Sequence, residues 1–413
     1  MNTIPTTSTI PNRPYQQCAI TVMDTIADPN ITFDENGISN YYYEYLELAH
    51  KNVFAGKKGK ERIDNIVQEI KNNGQGKKYN CITGVSGGVD STYLVLQAKK
   101  LGLNPLVVHF DNGWNSETAV KNIHNIISRL GFDLYTLVVN WEEFKDLQLS
   151  YFKAGVVDIE ALTDHAIIAT LHKLARKYDI KYILSGNNVV TEGILPHYWI
   201  FNKPDSINIK AIHKVYGKVK LKTYPFYSTY AKYFFSKLRG VETICLLDYM
   251  DYNKKEVKRT IAEELDWKDY GGKHFESVFT RFYQGYILPE KFKIDKRKAH
   301  LSTLICSNQV SKEEALIELQ TPIYATDLLN SDKKFVLKKL GLTEEEFEIY
   351  MCSPRREHIE FQHSEGVWKD VPMMQLLKPM WKLYKNANEY KRQVKRLLNL
   401  YLHKFGKRPA VNV

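Results

Sequence analysis

Through the middle of the chain, short apolar runs alternate with longer stretches whose apolar residues recur every three to four positions. Residues 79–85, 105–110, 134–139 and 182–184 are runs of strand length, rich in Val, Ile, Leu and Tyr. Between them, Val89–Lys100, Glu117–Leu130 and 159–178 carry helical spacing. A further strand is predicted over 241–247, and a helix over Lys254–Leu265. Strands alternating with helices in this way predict right-handed β–α–β units. The expected fold class is α/β: a parallel twisted sheet with helices on both faces.

The flanks follow a different pattern. Ahead of the first strand, helices are predicted over 39–53 and 62–72, with a break at Gly56-Lys57-Lys58-Gly59. Beyond Trp267 the chain turns helical and loop-rich, with helices expected over 312–319, 333–340 and 344–350. Residues 1–16, rich in Thr, Pro and Asn, read as a flexible lead-in. The expected organisation is an N-terminal module (1–75), an α/β domain (76–250) and a helical C-terminal region (251–413).

Composition narrows the class. The chain has 413 residues, 44% of them hydrophobic and 25% charged, which excludes a collagenous, coiled-coil or disordered protein. No apolar run approaches the roughly 18 residues that span a bilayer. The opening Met1-Asn2-Thr3-Ile4-Pro5 lacks the basic and apolar regions of a signal peptide, so none is expected. Five scattered cysteines (Cys18, Cys81, Cys245, Cys306 and Cys352), with no CxxC pair, fit a reducing cytoplasm better than a disulfide framework.

The net charge of +11 changes the picture less than its size suggests. From Lys378 to Val413 ten Lys or Arg stand against one acid, Glu389, so the remaining residues carry about +2. This tail has helix-like apolar spacing through Met380, Trp381, Tyr384, Tyr390, Val394, Leu397, Leu398 and Tyr401. It reads as a packed helix with a solvated basic face, or as a dock for an acidic partner or a peripheral contact with an anionic membrane. A second basic stretch, 210–222, reads as a surface loop or a greeting for an anionic substrate.

The chemistry concentrates in Cys81-Ile82-Thr83-Gly84-Val85-Ser86-Gly87-Gly88-Val89-Asp90-Ser91, where a strand ends and a helix begins. Glycines allow a tight turn and close anion approach, and the loop N–H groups with the positive helix end bind phosphate oxygens. Ser86 and Ser91 offer hydroxyl donors, and Asp90 can hold Mg²⁺ against the phosphates. No Lys follows in the Walker pattern, so the loop suits a released pyrophosphate rather than phosphoryl transfer.

This string resembles the pyrophosphate loop of the ATP pyrophosphatase superfamily, whose members adenylate an oxygen and then displace AMP. The resemblance implies an adenine nucleotide alpha hydrolase-like fold, with ATP and Mg²⁺ as cofactors. It implies nucleotide contacts at Ser86, Gly87, Gly88, Val89, Asp90, Ser91, Phe110, Asp111, Gly186 and Asn187. His109-Phe110-Asp111-Asn112-Gly113 and Ser185-Gly186-Asn187-Asn188 both end strands, at the edge where open α/β sheets bind ligands.

Further segments narrow the likeness. They are 18–25 and 31–37, Asn187-Asn188 with Glu192-Gly193-Ile194-Leu195-Pro196, Tyr270-Gly271-Gly272-Lys273-His274, Thr280-Arg281-Phe282-Tyr283-Gln284, and 292–302. Together they resemble the N-acetyl sugar amidotransferases, which build acetamidino groups on bacterial surface sugars, over about residues 15–350. The resemblance implies O-adenylation of an N-acetyl oxygen followed by ammonia attack, in lipopolysaccharide O-antigen or flagellin glycan biosynthesis. It implies catalytic roles for Asp90, Ser91, Lys273 and Arg281, and contacts to a nucleotide-activated sugar from Glu192, Lys273, His274, Arg281, Lys296, Arg297 and His300. With no glutaminase motif in the chain, it also implies separate glutaminase and cyclase-like subunits as ammonia source, and no nucleic acid partner.

One departure stands out. Where that family opens with CxxC…CxxC, this chain has Cys18, Thr21, Ser39 and Tyr42, so zinc is not expected. Hydrogen bonds and aromatic packing from Tyr41 to Tyr45 are expected to hold the module instead. Two other readings stay open: a tRNA-modifying relative (a thiolase or a lysidine-type ligase), and a silent nucleotide-binding scaffold subunit.

Overall fold

A computed structural model describes residues 13–227, 240–272 and 275–364. The chain divides into two compact units, Met1–Phe361 and Gln362–Val413, and only 362–364 of the second are described. The basic tail, most of the lead-in, and Lys273 and His274 therefore lie outside the described residues.

Five parallel strands form the sheet: β1 (Cys81–Gly84), β2 (Pro105–Asp111), β3 (Leu134–Val138), β4 (Tyr182–Ser185) and β5 (Glu242–Cys245). Their order is β3-β2-β1-β4-β5, with register Thr83 against Val107 on one side and Thr83 against Leu184 on the other. The chain lays strands outward from β1 in one direction, then returns to place β4 on its other side. That makes the β1–β4 gap the topological switch point, where ligands of open α/β sheets bind.

The side chains alternate as a sheet covered on both faces requires. Cys81, Val107, Leu184 and Ile244 pack with Leu94, Val95, Ile123, Ile126 and Ile261 on one face. These partners come from α3 (Val89–Lys100), α4 (Glu117–Leu130) and the helix Lys254–Leu265. Ile82, Leu106, Val108 and Ile183 pack with Leu174 and Ala175 of α6 (Ala161–Lys177) on the other. Helix α4 begins and ends as predicted because both ends are capped. Ser116 accepts from the Ala119 N–H at 3.2 Å, and Gly131 takes the left-handed conformation at φ +67°.

Three expectations need correction. First, Gly56–Gly59 is no break, because α2 runs over Gly56–Asn73. Gly59 is there for contact: a β-carbon would fall 2.0 Å from the Phe54 carbonyl oxygen and 2.3 Å from that of Tyr249. Second, Trp141–Ala154 is an unforeseen helix, α5, which buries Glu143, Asp146 and Gln148 as well as Phe144 and Leu147, so polar residues fall on both its inner and outer sides. Third, 210–222 is not simply a loop, since its first part belongs to α8 (Ser206–Tyr216). The remainder is tied to α5, whose Asp146 accepts from the N–H groups of Lys218 and Val219 and whose Glu143 accepts from those of Thr223 and Tyr224. Burial raises both carboxyls, but these donors outweigh it and hold their pKa values below the usual range.

After the sheet the chain is helical. It includes Val278–Phe282, a π-helical turn at Tyr283–Ile287, Leu288–Phe292, Lys296–Cys306, Lys312–Gln320, Thr326–Leu340 and Glu344–Cys352. Among the described residues, no helix is long and apolar enough to cross a membrane.

At the N-terminal end, the Cys18 sulfur accepts from the N–H groups of Thr21 (3.4 Å) and Ser39 (3.3 Å), so the two short loops close around one thiol. Burial works against thiolate formation there, and those hydrogen bonds, counted with the Ser39 and Thr21 side chains, bring the pKa down overall. Helix α1 (Asn40–Asn52) supplies Tyr41, bonded to Asp28, Tyr43, 2.7 Å from Asp34, and buried Tyr45.

Asp248 joins these parts. Its backbone oxygen accepts from the Phe54 N–H (2.9 Å), and its carboxylate accepts from the Val189 N–H at the start of α7 (Val189–Glu192) at 2.7 Å. Burial pushes its pKa up to about 6, against the opposing Val189 hydrogen bond. A raised carboxyl pKa penalises the folded state as pH climbs from the unfolded value through the folded one, with the full cost present above about 6. Asp248→Asn keeps the acceptor and removes the charge. It should raise stability by ~2 kcal/mol at pH 7.5 in urea unfolding, with the gain shrinking as pH falls below about 6 and gone only below about pH 4. A pH-independent difference would contradict the burial argument. Gly59→Ala should cost about 1–3 kcal/mol by the same measurement, because two backbone carbonyls leave its methyl no room.

Candidate active site

The loop between β1 and α3 is shaped by what cannot fit beside it. Gly87 has φ +81°, and a β-carbon there would lie 2.8 Å from the Ala119 carbonyl oxygen. Gly88 is the helix cap. Its own β-carbon would meet the Ser86 hydroxyl at 3.1 Å and the Tyr270 hydroxyl at 3.3 Å. The two serines are wired to the loop itself. The Ser86 N–H donates to Ser91 Oγ (3.3 Å), the Gly88 N–H to Ser86 Oγ (3.2 Å), and Ser91 Oγ to the Gly88 oxygen (3.2 Å). The Gly87 carbonyl is held by the Trp267 indole N–H (2.8 Å) and more loosely by Asn122 Nδ2 (3.4 Å). A backbone cradle opening at a helix N-terminus is suited to an anion.

Across the switch point, the turn after β4 comes so close that a side chain on Gly186 would crowd the start of α3. A β-carbon would sit 3.2 Å from the Ser91 nitrogen and 3.4 Å from the Asp90 carbonyl carbon. The Asn187 N–H donates to Ser185 Oγ (3.2 Å), and Asn188 caps α7 through Thr191. Two donors converge on Asp90 Oδ1: the Tyr252 hydroxyl and Asn188 Nδ2 (3.3 Å). Burial first, then the Asp90 charge, raises the Tyr252 pKa far above the ordinary phenol value. Tyr270 is raised likewise, by burial and then by Glu276 and Asp90.

The end of β2 is joined to the same loop through a histidine. His109 Nδ1 donates to the Val85 oxygen (3.1 Å) and Nε2 accepts from Asn115 Nδ2 (3.1 Å). Asn115 and the Gly113 N–H both donate to Asp111. Phe110 is buried among apolar side chains.

The expected substrate residues fare unevenly. Glu192 ends α7, near enough to raise the pKa of Tyr252 further. His300 reaches the same helix through Nδ1 to the Thr191 oxygen (3.1 Å), and its Nε2 meets Lys254 Nζ at 2.8 Å. Lys296 lies 3.9 Å from Glu160. Arg281 forms a two-point pair with Asp332 (2.7 and 2.9 Å). Arg297 pairs with Asp295 and caps carbonyls at the end of Lys312–Gln320, including Thr321 at 2.8 Å. Thus Ser86–Ser91, Gly186, Asn187 and Glu192 gather at the switch point, whereas Arg281 and Arg297 are engaged with carboxylates of the chain. Tyr252, Trp267, Tyr270 and Asp248 were not foreseen. Tyr270 stood in the Tyr270-Gly271-Gly272-Lys273-His274 string without a role, Tyr252 and Trp267 flank the predicted helix Lys254–Leu265, and Asp248 had no sequence signal.

Among the described residues, no group of three or more His, Cys, Asp or Glu is placed to hold a metal ion. One fixed carboxylate beside a phosphate cradle nonetheless fits Mg²⁺, which is commonly held by one or two carboxylates with phosphates and water.

Comparison with known proteins adds the following. The family model described as LPS biosynthesis protein WbpG-like, C-terminal domain, matches residues 276–377. A tRNA(Ile)-lysidine synthase from Chlamydia pneumoniae is 37% identical over 76 residues, which is 17% of this chain and 23% of that protein. The chain thus spans about a quarter of the curated relative it matches. An NMN synthetase from Francisella tularensis aligns with TM-score 0.37 and 12% identity, over 70% of this chain and 98% of that one. An NH3-dependent NAD synthetase from Campylobacter jejuni aligns with TM-score 0.28 and 11% identity, over 72% and 98%. The fold description rests on the sheet itself. The likeness expected from the sequence is matched over one stretch: residues 276–377 are similar to the WbpG-like C-terminal domain described for LPS biosynthesis.

Proposed function

We propose that this protein is an ATP-dependent ligase, and more specifically an amidotransferase converting a sugar N-acetyl group to an acetamidino group in bacterial surface-glycan synthesis. The observation that carries the reading is the backbone cradle Ser86–Ser91, closed by Gly186 at the switch point, with Asp90 held beside it. The WbpG-like match supports lipopolysaccharide biosynthesis as the setting; O-antigen or flagellin glycan is the proposed product class.

An amide oxygen is a poor leaving group, so the reaction needs activation. The N-acetyl oxygen attacks the α-phosphorus of ATP, and the bond to the β-phosphate breaks to release pyrophosphate. Ammonia then adds to the imidate carbon, loses a proton, and expels AMP with the former amide oxygen. In this reading the Ser86–Ser91 loop at the start of α3 receives the pyrophosphate, while Phe110, Asp111, Gly186 and Asn187 border the nucleoside. Mg²⁺ held by Asp90 would neutralise phosphate charge. No side-chain nucleophile is required, so catalysis is positioning and electrostatics. Lys273 and His274 are proposed phosphate and sugar contacts, with Glu192, Lys296 and His300 facing the acceptor. Arg281 and Arg297 brace the segment that carries them, through Asp332 and Asp295. Ammonia is supplied by separate glutaminase and cyclase-like subunits.

The lysidine synthase likeness favours a second reading, a ligase acting on tRNA. One assay separates the two. Purified protein with Mg-ATP, concentrated ammonium and a panel of nucleotide-activated diacetamido sugars should yield AMP, pyrophosphate and a sugar with oxygen replaced by NH in equal amounts. Asp90→Asn should lower that turnover at least about 100-fold while leaving the fold intact. AMP formed only when tRNA is added would replace the sugar reading with the tRNA one. ATP binding without turnover by any acceptor would favour a scaffold.

A further inference from the structure

The Asp90 carboxylate is not left to choose its own orientation. It sits in the first turn of α3, yet the tether on Oδ1 comes from two other parts of the chain. Asn188 follows β4 as the N-cap of α7 and is 3% exposed, and Tyr252 lies between β5 and the helix Lys254–Leu265 and is 7% exposed. A carboxylate oxygen can only accept, so the phenol is the donor in the Tyr252–Asp90 bond. The Tyr252 ring is itself fixed edge-on against Tyr93, with ring centroids 5.8 Å apart. Asn188 is fixed as well, because its Oδ1 is spent on the Thr191 N–H (2.9 Å) and hydroxyl (3.0 Å). Its amide can therefore turn only its nitrogen toward Asp90. Two rigid donors on one oxygen set the rotation of the carboxylate before any ion arrives.

We propose that Tyr252, together with Asn188, is a positioning residue that presets Asp90 for the divalent cation of the bound nucleotide. The inference rests on the ATP-dependent reading above and deepens it. Neither residue needs to touch the nucleotide; their effect passes through Asp90. Outer partners of this kind typically change metal affinity by about 10- to 100-fold when removed.

The test is calorimetric binding of α,β-methylene-ATP, which cannot release pyrophosphate, to the full chain with Mg²⁺ and with EDTA. Wild-type protein should bind more tightly with Mg²⁺. In Tyr252→Phe that gain should shrink about tenfold or more. Its EDTA affinity and melting temperature should stay near wild type. Tyr93→Phe, which alters the neighbouring ring without touching Asp90, should keep the full gain. Asn188→Ser retains a cap for α7 and loses the donor to Asp90, so it should lower the gain as well. It serves if Tyr252→Phe does not fold. An undiminished gain in the folded variants, an equal loss with and without Mg²⁺, or a matching loss in Tyr93→Phe overturns the proposal. Nucleotide binding without any Mg²⁺ gain in wild type overturns it and leaves the ATP reading standing. No binding in either condition removes both.

Discussion

Everything in this molecule's candidate chemistry depends on a backbone approach at the switch point of the sheet. The turn after β4 lies so close to the start of α3 that a β-carbon on Gly186 would press on the Ser91 nitrogen at 3.2 Å, and the loop after β1 lies so close to α4 that one on Gly87 would meet the Ala119 oxygen at 2.8 Å. The lack of side chains at these glycines leaves loop backbone and a helix terminus facing whatever enters the gap. An anion is the natural occupant of such a surface. The parallel order β3-β2-β1-β4-β5 is what places that gap between two strand ends rather than along an edge.

The rest of the chain serves the same gap from outside the sheet. Trp267 and Asn122 secure the Gly87 carbonyl, and Tyr252 and Asn188 secure Asp90. The C-terminal region is joined on beside it. A bridge pairs Asn115 with Ser277, and the Val278 N–H donates to the Trp114 oxygen at 2.8 Å. The segment entering the WbpG-like match at 276 is thereby attached to the loop that ends β2. On the other flank, Ser302 and Thr303 of Lys296–Cys306 accept from the N–H groups of Val22 and Ile194, which ties the N-terminal residues to the turn after α7.

The sequence made some of this legible and hid the rest for identifiable reasons. Helices α4 and Lys254–Leu265 begin and end where predicted, because side-chain caps and an exposed polar side mark them, and α3 does so between the glycine loop and Lys99-Lys100. Helix α5 escaped notice because Glu143 and Asp146 are buried to hold the N–H groups of 218–224, which puts polar residues on the inner side and blurs the apolar periodicity. Gly59 looked like punctuation and is a contact surface for two carbonyls. In the site, the glycine loop stands out because its residues are contiguous. Tyr252 and Trp267 do not, since they reach Asp90 and Gly87 from 162 and 180 residues away. Arg281 and Arg297 resembled anion contacts, but their acidic partners Asp332 and Asp295 show only in three dimensions or in local helix capping.

The central claim is that the acceptor's amide oxygen attacks the α-phosphorus of ATP held in the Ser86–Ser91 cradle. A sugar acceptor labelled with oxygen-18 in its N-acetyl carbonyl tests this directly, with the products resolved by mass spectrometry. The account predicts one labelled oxygen in AMP for every acetamidino group formed, and none in pyrophosphate. Label in inorganic phosphate alongside ADP, or label retained in the modified sugar, would contradict it.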